Sequence, residues 1–168
     1  MNPSTSASGL DAEHLEIWAA VATLLERLPA ALDAQLQRDS GLTHFEHGLL
    51  FALGTAPDRA LRMSQLAGYA NCTLSRLSRA VTRLEKKGLA RRAVDEIDGR
   101  VSKAVLTDDG EEMLRQATPA HHALVKRLVF DSLTEAQARK LGAISREINA
   151  AIDPAEVWRA PTERGGVG

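Results

Sequence analysis

The chain of 168 residues has a single cysteine, Cys72, so it can form no internal disulfide and no cysteine-rich zinc site. Aromatic residues make up only 4% of it, and Ala, Leu and Arg dominate instead, which favours helix. No apolar run reaches the length of a membrane span, and the N-terminal MNPSTSASG lacks the basic-then-apolar pattern of an export signal. A cytoplasmic protein is expected. Chemistry is missing too: no nucleophile elbow, phosphate loop or catalytically spaced carboxylate pair occurs. The chain therefore reads as no enzyme, with no catalytic residue and no cofactor. With 44% hydrophobic and 26% charged residues it is otherwise ordinary, and long enough for one domain with a proper core.

The net charge of −1 gives no overall bias toward nucleic acid, but it is unevenly spread. Residues 61–106 hold ten Lys and Arg against four Asp and Glu, or +6, and the rest of the chain carries −7. Positive charge segregated onto one segment matters more than the total.

That segment contains TLSRLSRAVTRLEKK, residues 73–87. Leu74, Leu77, Val81 and Leu84 recur at steps of three and four and define one stripe of a helix. Ser75, Arg76, Arg79, Thr82, Arg83 and Lys86 fall on the other side. Thr73 is placed to cap the start and Gly88 to stop the end. A short helix precedes it, 64–69, with Ser64 as the expected cap and Met63, Leu66 and Ala67 inward. Two short helices across a tight turn, the second basic, make a helix-turn-helix. After Gly88 the pattern changes to period two. Residues 89–94 and 101–106 read as a hairpin whose arms and tip carry Arg91, Arg92, Arg100 and Lys103. A basic hairpin directly after a recognition helix is a wing.

The flanks are helical. Leu15, Trp18, Ala22, Leu25, Pro29, Leu32 and Leu36 form one stripe from about residue 10 to 39, and Ile17, Val21, Leu24 and Leu28 a second. A helix apolar over that much of its circumference is buried on two sides, and Pro29 is expected to kink or break it. Thr43 and Glu46 form a capping box for a helix running to about Gly54. Thr107 caps another, with Pro119 as an expected kink, and Thr134 begins a last helix whose Ala138, Leu141, Ile144, Ile148 and Ile152 face inward. The fold class is mainly α with a small β wing: a disordered tail at 1–9, a single domain at 10–154 and a loose tail at 155–168. Within the domain, 43–106 is the winged lobe, and 10–40 and 107–154 are long flanking helices.

Residues 61–67 (LRMSQLA), 75–79 (SRLSR), 83–89 (RLEKKGL), 98–100 (DGR) and 106–110 (LTDDG), in this order, resemble the MarR family of bacterial winged helix-turn-helix transcription regulators. The resemblance covers roughly residues 11–152. It implies a homodimer joined through the first helix and the last two, binding a pseudopalindromic duplex DNA site, and a small-molecule effector or oxidation as regulator. A ligand-responsive repressor is the expected function. Carried over by position, Thr73, Ser75, Arg76 and Arg79 would face the major groove, and Arg83 the backbone or adjacent bases. Arg100 would enter the minor groove held by Asp98, and Ser64 and Gln65 would meet phosphates. Gly99 stands where the family often has Arg, so one minor-groove charge is missing.

Other residues have blander readings. Cys72 precedes the recognition-helix cap, where oxidation would disturb docking, but a small half-buried thiol at a helix start is the ordinary case. His44 and His47, with His121 and His122, could form a metal site; no cysteine or dense carboxylate cluster joins them, so no metal is expected. Trp18, Phe45 and Phe51 are candidates to line an effector pocket between the flanking helices and the lobe, against plain core packing for each. The alternative to DNA is a winged helix that binds an acidic protein partner. Hydroxyls at the recognition-helix start together with a basic wing tip favour DNA.

Overall fold

A computed structural model describes residues 9–95 and 99–152. Helix α1 (Ala12–Ser40) is capped by Asp11, whose carboxylate accepts the His14 amide, and ends on Gly41 at φ 67°. Of the kink or break expected at Pro29, the break does not occur: the helix runs continuously through it. Pro29 and its neighbours lie on an exposed side, so water can satisfy the carbonyl that loses its donor. Helix α2 (His44–Thr55) starts on the expected capping box: Thr43 Oγ1 accepts from the Glu46 amide, and Glu46 accepts from the Thr43 amide.

Strand β1 (Ala60–Arg62) has no counterpart in the sequence pattern. It lies in a stretch with a turn signal before it and a helix after it, and it pairs with a strand more than forty residues away. Helix α3 (Met63–Tyr69) follows without a gap, so Ser64 is not its cap. Pairing of Arg62 with Lys103 carries the strand right up to the helix, and the Gln65 side chain accepts the Arg62 amide at 3.1 Å instead. Helix α4 (Leu74–Lys86) begins at Thr73, whose hydroxyl accepts the Arg76 amide, and the chain turns away at Gly88 with φ 74°. Strands β2 (Ala90–Val94) and β3 (Ser102–Leu106) form the hairpin, Ala90 opposite Leu106 and Val94 opposite Ser102. The antiparallel sheet has order β1-β3-β2.

Thr107 caps helix α5 (Asp108–Val125), which continues through Pro119 and widens into a π-helical turn at Lys126–Phe130. Helix α6 (Glu135–Ile152) ends the described chain. The expected tails at 1–9 and 155–168 fall almost wholly outside the described residues.

One core holds the lobe together. Leu42, Leu49, Leu50, Leu53, Leu66, Leu77, Val81, Leu84 and Leu106 are buried in it, bringing α2, α3, α4 and the sheet onto one centre. Leu77, Val81 and Leu84 of the stripe read from the sequence are buried, Leu74 stays exposed, and Ala80, outside the stripe, is buried as well. The C-terminal half of α1 packs against α2 and α5, and Leu32 and Leu36 are buried there. The N-terminal half is uncovered: Leu15, Ile17, Trp18, Val21, Leu24 and Leu25 are exposed, and so are Leu141, Ile144, Ile148 and Ile152 of α6. Within one chain α6 therefore does not bury the face that its periodicity marks as inward.

Candidate nucleic-acid interface

Helices α3 and α4 are joined by a turn in which Asn71 takes φ 44° and the amides of Ala70, Asn71 and Cys72 return to carbonyls of α3. The turn fixes the outward face of α4. Burial of Leu77, Ala80, Val81 and Leu84 leaves Ser75, Arg76, Arg79, Thr82, Arg83 and Lys86 exposed. The Thr73 hydroxyl lies 3.1 Å from Ser75 Oγ, so the two hydroxyls form one pair at the helix start. Ser64 and Gln65 are exposed on the first turn of α3, with the Gln65 carbonyl oxygen occupied by its capping bond.

Two of the three arginines of α4, Arg76 and Arg83, do not simply extend into solvent. The Arg76 guanidinium lies 4.6 Å from the centre of the Phe45 ring, a cation–π contact that turns it toward α2. Arg83 Nε donates to Glu46 Oε1 at 2.7 Å, and Lys87 Nζ reaches Glu46 Oε2 at 3.1 Å and the Gly41 carbonyl at 2.8 Å. Asp33, Thr43, Phe45, Arg76, Arg79 and Arg83 surround a concave space of about 400 Å³.

The wing is braced in the same manner. Asp95, buried just past the last residue of β2 at the tip end of the hairpin, pairs with Arg62 Nε at 2.8 Å and Lys103 Nζ at 3.5 Å. Its amide donates to the Val101 carbonyl at 2.8 Å, closing the ladder below the tip. Arg92 ties β2 to α4 through Glu85, Ser78 and Thr82. Arg100 is exposed at the tip beside Gly99, and Asp98 lies outside the described residues. The sequence pattern does not single out Glu46, Asp95, Arg62 or Arg92 as site residues. The capping box gives Glu46 a local role, but nothing local signals its partners on α4.

Among the described residues, Trp18, Phe45 and Phe51 stand in three different surroundings. Trp18 stands on the exposed stripe of α1, and Phe45 lies under Arg76. Phe51 lines a separate open groove of about 810 Å³ between α2 and α5, with Leu114 and Pro119 as apolar walls and Asp108, Glu111, Glu112 and Arg115 at its rim. Cys72 is half-buried against the core.

The histidines do come together. His121 of α5 sits between His47, at 4.7 Å between ring centres, and His44, at 5.4 Å, with His122 at 6.3 Å. His44 Nδ1 and His121 Nδ1 are buried without a hydrogen-bond partner. Burial, and then the neighbouring imidazoles, push His47 down to about 4, and burial lowers His44 and His121 as well. Among the described residues no group of three His, Cys, Asp or Glu is arranged to hold a metal ion.

No helix among the described residues is long and apolar enough to cross a membrane. A profile of the MarR family matches residues 40–101, from the end of α1 to the start of β3. No curated protein matches the chain. Among solved structures, Sco3205, a MarR family transcriptional regulator from Streptomyces coelicolor crystallised in complex with DNA, is 44% identical. That match covers 87% of this chain and 95% of Sco3205 at a TM-score of 0.85. AbsC, a MarR family transcriptional regulator from the same organism, is 31% identical over 87% of this chain and 98% of its own, with a TM-score of 0.83. FabT from Streptococcus pneumoniae, also solved with DNA, shares the fold at 21% identity and a TM-score of 0.68, covering 85% of this chain and 99% of its own. With the winged lobe, the flanking helices and two such relatives over most of its length, this chain belongs to the MarR family of transcriptional regulators.

Proposed function

We propose that the protein is a homodimeric repressor that binds a pseudopalindromic duplex site through two winged lobes and releases it when an effector binds. The observation that carries this reading is the exposed Ser75, Arg76, Arg79 and Arg83 face of α4 beside a basic, braced hairpin. DNA in the crystals of the 44% identical Sco3205 supports the choice of duplex DNA over an acidic protein partner.

Within this reading each residue has a role. Thr73, Ser75, Arg76 and Arg79 enter the major groove, where an arginine reads a guanine edge through two parallel bonds. Arg83 takes the backbone or a neighbouring base, and Ser64 and Gln65 approach phosphates from the start of α3. Arg100, with Asp98, enters the minor groove. The exposed apolar stripes of α1 and α6 are the surface that a second copy covers, since contiguous exposed apolar area of this extent marks an interface. Trp18 then belongs to the dimer contact. Phe51 and the groove around it are the place for an effector, because that groove lies where α2 of the lobe meets α5.

The test is enrichment of genomic fragments by the purified protein at low and high salt, followed by affinity measurements on the recovered site. An inverted repeat whose binding weakens steeply with salt is expected, as phosphate contacts release counterions. Arg76→Ala and Arg79→Ala should each weaken it by about tenfold or more. Recovery of no DNA at low salt would favour the protein-partner reading.

A further inference from the structure

Only two carboxylates are buried among the described residues, Glu46 and Asp95, each 2% exposed. Glu46 stands on the first turn of α2, beneath the recognition helix. A charge so buried is unfavourable unless it is paired and its oxygens are satisfied. Both of its oxygens are occupied. Oε1 accepts from Arg83 Nε at 2.7 Å, and Oε2 accepts from Lys87 Nζ at 3.1 Å and from the Thr43 amide at 3.2 Å. Burial opposes the charge, yet the hydrogen bonds from Arg83, Thr43 and Lys87 outweigh it and hold the carboxyl below its ordinary range.

The partners belong to two parts of the fold, the start of α2 and the end of α4. Thr43 is the cap of α2, Lys87 follows the last residue of α4, and Lys87 also grips the Gly41 carbonyl in the turn between α1 and α2. Arg83 lies one turn earlier on α4, and its side chain is still 52% exposed, with Nε its one engaged nitrogen among the described residues. The residue before Glu46 completes the arrangement, since the Phe45 ring lies under Arg76. Two consecutive residues of α2 thus hold two of the exposed arginines of α4. A guanidinium gripped by Nε keeps its terminal nitrogens in a set direction, and less rotamer freedom is lost when it meets its target.

We propose that Glu46 is a positioning residue for sequence-specific DNA binding: it aims the Arg83 guanidinium and fixes the end of the recognition helix, without touching DNA itself. This rests on the DNA-binding reading above. It explains why a capping position, which Gln would fill equally well, carries a charged carboxylate on a buried face.

The experiment compares full-length wild type, Glu46→Gln, Arg83→Ala and the double variant. Gln keeps the capping acceptor but loses the charge and offers an NH2 group to a site lined by donors. Each protein is assayed against the enriched site and against random duplex, and the Arg83 Nε–H resonance is followed by NMR. Glu46→Gln is expected to bind the enriched site about tenfold more weakly while random-duplex affinity and salt slope stay within about twofold and one unit of wild type. The double variant should bind no worse than Arg83→Ala, because the two changes remove one interaction. Should Glu46→Gln fail to fold, Glu46→Asp, which keeps the charge but withdraws it by one methylene, is expected to fold and to show an intermediate loss of the enriched site only. Wild-type affinity in Glu46→Gln or in Glu46→Asp, or losses that add in the double variant, would overturn the role. A wild-type protein whose Arg83 Nε–H is protected from exchange with water, as its bond to Glu46 requires, yet binds no duplex would overturn the DNA reading, and the role with it.

Discussion

The histidine cluster between α2 and α5 is expected to make stability fall in mild acid, with His47 setting how much. The side chain is buried, its Nε2 lies 3.4 Å from Thr118 Oγ1, and it is packed against His121 with His44 and His122 nearby. Asp33, which accepts the His44 amide, is the acid on this side and acts to raise His44. Folding lowers His47 from 6.5 to about 4. Above pH 6.5 the ring is neutral in both states and its contribution is complete. Between 6.5 and 4 the unfolded chain takes up a proton that the folded site refuses, so stability is lost, and below 4 this loss stops growing. Each pH unit crossed inside that window removes about 1.4 kcal/mol, so moving from pH 7.5 to pH 5.0 removes about 2 kcal/mol through this residue. His47→Gln keeps a polar group near Thr118 but cannot titrate. Urea unfolding of both proteins at pH 7.5 and 5.0, at one fixed protomer concentration, reads the difference directly. The variant should lose about 2 kcal/mol less than wild type on acidification. Equal losses in the two proteins, to within about 0.5 kcal/mol, would refute the argument.

Gly110 lies where α5 meets the hairpin, and a Cβ there would sit 2.0 Å from the Leu89 carbonyl oxygen. Gly110→Ala should therefore cost more than about 3 kcal/mol or prevent folding, and a thermal midpoint near wild type would refute the close approach. The Thr107 hydroxyl accepts the Gly110 amide at 3.0 Å and donates to the Gly88 carbonyl at 2.6 Å, so Thr107→Val should cost about 1–2 kcal/mol and Thr107→Ser much less. Chemical denaturation of the two variants beside wild type measures both. Leu24→Glu or Ile148→Glu, on stripes exposed in the single chain, should leave the lobe folded and shift sedimentation toward monomer; an unchanged dimer would place the interface elsewhere. Arg100→Ala should weaken binding to the enriched site and flatten its salt slope by about one unit per lobe, which a salt titration of affinity measures.

Much of this protein is written locally. Asp11, Thr43, Thr73 and Thr107 cap their helices because a hydroxyl or carboxylate at that position meets an orphan amide within three residues. The α4 stripe and the hairpin follow from periods of three to four and of two, and the charge of residues 61–106 needs only counting. The wide apolar faces of α1 and α6 are legible as well, although the single chain leaves them uncovered. Tertiary structure decided the rest, because its terms act between residues far apart in sequence. Three residues of β1 have no strand signal until β3 offers hydrogen bonds, and that pairing then moves the start of α3 ahead of Ser64. Pro29 breaks no helix because its surroundings are open to water. Trp18, Phe45 and Phe51 look alike as aromatic candidates, yet packing sends them to three different places. Glu46 reads as half of a capping box, and only the crossing of α2 beneath α4 brings Arg83 and Lys87 to its second face. Sequence alone determined which residues could carry charge outward; the fold decided which way that charge points, because burial of a carboxylate forces its cations to come to it.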